Sequence, residues 1–153
     1  MRATALACHN SVPSTTVVAA TSDCAIHLLD AAVGAPVATS LGQHSRSVSV
    51  LAVVPATPFS DAAVATVAAN AMMSASRDAT VLLWDLRCMQ VTRRFAHDRH
   101  ASAVGRGMGV GAAAAVSPCG RFVACGAADP AAVIVFDVRT SGVLQQQVRA
   151  DNV

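Results

Sequence analysis

The chain has no lysine and no tyrosine, and charged residues make up only 13% of it, about half the share usual in globular domains. So few charges leave little material for a surface that is well solvated on every side. The eleven basic residues are all arginine, and they are scattered along the sequence. A face that binds DNA or RNA needs several cations converging on phosphates, and a formal net charge of +2 gives no sign of one. No uninterrupted apolar run approaches the roughly 18 residues of a membrane-spanning helix. The apolar stretch at the amino terminus stops at His9, too soon for a signal-peptide core. Neither nucleic acid nor membrane is therefore an expected partner. The five cysteines, Cys8, Cys24, Cys88, Cys119 and Cys125, are odd in number and fall in or beside apolar segments. That pattern suits buried free thiols in a reducing compartment better than a disulfide framework. The expectation is a soluble intracellular protein, cytoplasmic or nuclear.

Small aliphatic residues are plentiful instead. Hydrophobic residues are 54% of the 153, mostly alanine and valine, which is enough for one domain with a real core. They are arranged in a repeat. The stretch Ser74-Ala-Ser-Arg-Asp-Ala-Thr-Val-Leu-Leu-Trp-Asp-Leu-Arg87 has a weaker copy upstream, Thr21-Ser-Asp-Cys-Ala-Ile-His-Leu-Leu-Asp30. A second copy lies downstream, Ala127-Ala-Asp-Pro-Ala-Ala-Val-Ile-Val-Phe-Asp137, with one extra residue in its turn. The terminal aspartates are Asp30, Asp85 and Asp137, so the steps are 55 and 52 residues. A repeat at this scale outranks local propensity as evidence about fold.

Short β-branched and aliphatic runs between turn signals predict strands throughout. The first unit gives Ala3–Cys8, Thr16–Ala20, Ala25–Leu29 and Pro36–Leu41. The middle unit gives Ser47–Val54, Val64–Ala75, Thr80–Asp85 and Cys88–Phe95. The last gives Val110–Val116, Arg121–Cys125, Val133–Asp137 and Val143–Val148, with Ser117-Pro-Cys-Gly120 suiting a type I turn. The alanine-rich segments Ala62–Ala71 and Gly111–Ala115 have helical propensity, but the repeat register and the Gly105-Arg-Gly-Met-Gly109 lead-in favour strand.

Four strands per unit, three units and a Trp-Asp ending resemble the WD-repeat family of β-propellers. The resemblance covers nearly the whole chain, with units at about 1–42, 43–96 and 97–153. It implies an all-β fold: a partial, open β-propeller of three four-stranded antiparallel blades. In such blades a His before the first strand, a Ser or Thr on the second, an Asp in the next turn and a Trp on the third form a hydrogen-bonded chain. The middle unit matches with His44, Ser76, Asp78 and Trp84. His44 and Asp78 are 34 residues apart, and His97 and Asp129 are 32 apart, so the spacing persists. The last unit has Ala127 and Phe136 where Ser and Trp would stand. The first has Thr21 and Asp23, but Leu29 replaces Trp and no His precedes it. A satisfied polar chain of this kind fixes how four strands pack, so the role implied for it is structural.

His, Ser and Asp are also the residue types of a hydrolytic triad. No Gly-x-Ser-x-Gly elbow surrounds Ser76, and the spacing is that of the repeat. His97-Asp-Arg-His100 has a metal-like spacing without further ligands at zinc spacing. Gly105–Gly109 lacks the Gly-Lys-Ser/Thr ending of a phosphate loop, and Cys119 and Cys125 do not form Cys-x-x-Cys. No catalytic residue, cofactor or metal is expected. Asp85 and Arg87, echoed by Asp137 and Arg139, alternate with apolar neighbours at strand ends and are the candidates for partner binding. The first of these endings resembles the Trp-Asp-x-Arg box of WD-repeat substrate receptors for cullin-RING ubiquitin ligases. The function expected is a non-catalytic scaffold for protein partners, with such a substrate receptor as the alternative. Three units leave two sheet faces without neighbours. The expectation is therefore a piece of a larger propeller, completed by further blades in cis or by self-association.

Overall fold

The computed structural model describes residues 2–11, 14–54, 70–78, 80–96, 113–128, 131–138 and 143–144. Among them there are twelve strands and no helix. The first sheet comprises β1 (Ala3–Ser11), β2 (Ser14–Thr21), β3 (Ile26–Asp30) and β4 (Ala35–Ser40). The second comprises β5 (Val48–Val53), β6 (Ala71–Ser76), β7 (Thr80–Asp85) and β8 (Gln90–Ala96). The third comprises β9 (Ala114–Val116), β10 (Phe122–Ala128), β11 (Ala131–Asp137) and β12 (Val143–Leu144). Each sheet pairs its strands in chain order, and every pairing is antiparallel. The expected all-β class and three-unit division of strands are thus present. Of the segments with helical propensity, Ala71 and Ala114–Ala115 are in strands, while 62–69 and 111–112 lie outside the described residues.

The turns follow from local chemistry. Asp30 Oδ1 accepts from Ala32 N–H at 2.8 Å, and Asp85 Oδ1 accepts from Arg87 N–H at 2.9 Å. Both are side-chain-mimicked turns of the kind aspartate favours. Four residues after each aspartate the chain enters the left-handed region, at Gly34 (φ 69°) and at Met89 (φ 52°). The Ser117–Gly120 turn closes with Gly120 N–H donating to Ser117 O at 2.9 Å, the i to i+3 bond of the predicted turn.

Alternation along the strands sorts the side chains into faces. Val18, Ala20, Ile26 and Leu28 of the first sheet pack against Leu51, Met72, Leu82 and Trp84 of the second. The opposite face of the second sheet, with Met73, Ala75, Val81 and Leu83, packs against Val123, Cys125, Ile134 and Phe136 of the third. There Phe95 and Phe136 meet at a centroid distance of 5.1 Å. The middle sheet is covered on both sides, which is why every residue of β6 is buried. Between sheets the backbones approach at the first strands, β1 with β5 and β5 with β9.

The cysteines depart from expectation. All are free, but only Cys125 is buried; Cys24 is half-buried, and Cys8, Cys88 and Cys119 are exposed. Alternation puts Cys8 of β1 on an open face and Cys125 of β10 in the core, while Cys24, Cys88 and Cys119 lie in the turns that join strands.

Candidate functional site

His44 lies in the segment entering β5 and is 3% exposed. Its Nε2 is 2.8 Å from Ser74 Oγ, and the Trp84 indole N–H donates to the same oxygen at 2.8 Å. On its other side His44 Nδ1 is 3.1 Å from Asp78 Oδ2 and 3.1 Å from Thr80 Oγ1. With Asp78 ionised, one arrangement of protons satisfies every donor. The indole N–H donates to the Ser74 oxygen, the Ser74 hydroxyl to Nε2, and Nδ1–H to the carboxylate. Asp78 also accepts from Ser45 N–H at 2.8 Å, Thr80 N–H at 2.9 Å and the Thr80 hydroxyl at 2.5 Å. Burial pushes its pKa up, but hydrogen bonds from His44, Thr80 and Ser45 outweigh this and hold the carboxyl well below the usual carboxylate range. The polar line thus runs from the β6–β7 turn through the segment before β5 and Ser74 on β6 to Trp84 near the end of β7.

Ser74, not Ser76, is the hydroxyl in that line, which corrects the expectation. The two serines share a face of β6, one pleat apart. Trp84 pairs with Met72, so its indole reaches diagonally to residue 74. Ser76 sits too near the turn to reach it. Its hydroxyl donates to Arg46 O at 2.9 Å and accepts from Asp78 N–H at 3.2 Å, which fixes the turn instead. Ser74 has no exposed surface, so its hydroxyl presents no nucleophile to a ligand.

The repeat shows what replaces this line elsewhere. Strand register aligns Ser74 and Trp84 with Cys125 and Phe136 in the third sheet and with Ala19 and Leu29 in the first. Hydroxyl and indole have been exchanged together for apolar partners, so neither is left unpaired. Burial pushes the Cys125 thiol up to about 11, which keeps it neutral. The first sheet carries a different polar line, unforeseen because its histidine is inside a strand. The Thr21 hydroxyl donates to Asp23 and lies 3.2 Å from His27 Nε2, and His27 Nδ1 is 2.9 Å from Thr39 Oγ1.

The candidates for partner binding separate. Arg87 is exposed and forks onto Asp85, with Nη2 2.5 Å from Oδ2 and Nε 3.0 Å from Oδ1. The hydrogen bond from Arg87 holds the Asp85 carboxyl below its ordinary range. Asp137 is instead buried at 2%, and Arg121 holds its Oδ2 through Nη2 at 2.9 Å and Nε at 3.0 Å. It is an internal charge rather than a docking point, because the third sheet supplies an arginine one strand away, behind Phe122. Arg139, like His97, His100, Asp129 and Gly105–Gly109, lies outside the described residues. Among the described residues no helix is long and apolar enough to cross a membrane.

No family model matches the chain, and no curated protein matches it.

Proposed function

We propose that the chain is a run of three WD-type propeller blades serving as a non-catalytic scaffold for protein partners. The observation that carries this reading is the line Trp84, Ser74, His44 and Asp78. It is the hydrogen-bonded chain expected of a WD-repeat blade, and its groups are spent on one another inside the sheet stack. Two further features support the propeller arrangement: consecutive sheets pack face to face, and their first strands lie nearest one another. In a structure of that kind the turns between strands are what a partner meets, and function resides there. Arg87 at the β7–β8 turn, exposed and held in place by Asp85, is an exposed cation that an acidic partner could meet, and it is what supports the substrate-receptor version of the reading. Two measurements test the proposal. Quantitative capture of crosslinked proteins by wild-type and Arg87→Ala chains should lose a defined partner in the variant alone. A hydrolase panel should give the same rates for wild-type and Ser74→Ala proteins; an activity abolished in folded Ser74→Ala would overturn the scaffold reading.

A further inference from the structure

Each sheet has two unlike faces, and the chain uses them in a fixed order. The face through Val18, Ala20, Ile26 and Leu28 of the first sheet mates with the face of the second that carries Ser74 and Trp84. The equivalent positions of the second sheet, Met73, Ala75, Val81 and Leu83, mate with the face of the third that carries Cys125 and Phe136. By strand register the same four positions in the third sheet are Ala124, Gly126, Val133 and Val135. They keep the pattern of a small residue second, a β-branched residue third and an aliphatic residue fourth. Opposite strand parity turns them away from the Phe136 core, and Val133 is 43% exposed.

Among the described residues the receiving face is also open once. In the first sheet it is formed by Leu6, Val17, Ala19, His27 and Leu29, with Leu6 opposite Ala19 and Ala19 opposite His27. Leu6 is 64% exposed. His27 stands where Leu82 and Ile134 stand in the covered faces. Both its ring nitrogens are matched within the sheet, to Thr21 and Thr39, so it can be covered without leaving a polar atom stranded.

We infer that the open face of the third sheet docks on the open face of the first sheet of a second copy, head to tail, and that two copies close reciprocally. The mating itself rests only on the packing already present twice inside the chain. Closure at two copies rests also on the propeller reading, since six sheets fall within the four to eight of such rings, and a head-to-tail contact that does not close grows without limit.

The test uses two substitutions at exposed positions, Leu6→Arg on the receiving face and Val133→Arg on the docking face, with sedimentation equilibrium as readout. The wild-type chain should sediment at twice its 15.5 kDa mass, and each variant alone at the single-chain mass. An equimolar mixture of the two variants should again give the doubled mass, because one intact interface forms between the Val133→Arg chain's receiving face and the Leu6→Arg chain's docking face. That recovery also shows that both variants are folded. A wild-type monomer, leaving both faces to some other occupant, would overturn the inference, as would a dimer that survives either substitution alone. Open-ended oligomers of the wild type that collapse in both variants would overturn closure and the propeller count while leaving scaffold binding to be judged on Arg87→Ala.

Discussion

Ser74 satisfies a buried donor, the Trp84 indole N–H, and a buried acceptor, His44 Nε2, at once, and that makes it the most consequential hydroxyl in the middle sheet. Ser74→Ala strands the Trp84 indole N–H and removes the partner of His44 Nε2, with a cost of about 1–3 kcal/mol for an unsatisfied buried group. Pairing it with Trp84→Phe removes one of the stranded groups. The double variant should then lose less than the sum of the two single losses, by at least about 0.5 kcal/mol, in a urea-denaturation cycle. Additive losses would mean that the indole and the hydroxyl are energetically independent. Asp78 gives a second handle, through pH. Its folded pKa lies below the ordinary 3.8, so the native state favours the ionised form. The stability it contributes is fully present above about pH 4 and is lost as pH falls below that value toward its folded pKa. Asp78→Asn should therefore be less stable than wild type at pH 7, with the gap narrowing steadily as pH drops from about 4. A gap that stays constant through that acid range would sink the assignment.

At the level of strands and turns, the two hairpins that follow Asp30 and Asp85 solve one problem with different residues. Both place the fourth residue after the aspartate at positive φ, once with Gly34 and once with Met89. A β-carbon at Gly34 would meet nothing within 4 Å, so Gly34→Ala isolates the backbone cost. It should destabilise by about 1–2 kcal/mol, the left-handed penalty of an L-residue, measured as a lowered denaturation midpoint with unchanged slope. Met89 bears that penalty while placing its side chain in the core between the first two sheets. The elements themselves were largely legible. Thr80–Asp85 was bounded correctly because Ser76, Asp78 and Asp85 punctuate it, and the turn at Ser117–Gly120 followed from Pro118 and Gly120. The site was legible only to within one pleat. Ser74 and Ser76 have the same strand parity, and choosing between them requires knowing that Trp84 sits opposite Met72. Nor could spacing reveal Arg121 beside Asp137, because that pair joins the start of one strand to the end of the next.

For the molecule as a whole, the middle sheet is the only one of the three with both faces covered by described residues, and that asymmetry sets how the fold should open. β6 and β7 contribute to both core clusters: Met72, Leu82 and Trp84 to one, Met73, Val81 and Leu83 to the other. Neither strand can leave without exposing both clusters. β1 and β4 carry one open face, and Leu6 and Val37 on them are more than half exposed. Local opening there sacrifices far less apolar burial. Native-state hydrogen exchange should therefore find the β6 and β7 amides exchanging only through global unfolding, and those of β1 and β4 through smaller openings. Leu83→Ala, which removes a fully packed side chain from one cluster, should lower the β6–β7 opening free energy by about 2–5 kcal/mol. The decisive comparison is the strand order of protection at protein concentrations low enough to keep the chain monomeric. If β3 or β11 outlasts β7 there, the middle sheet is not the keystone of the stack, and the cooperative unit must lie in one of the outer sheets.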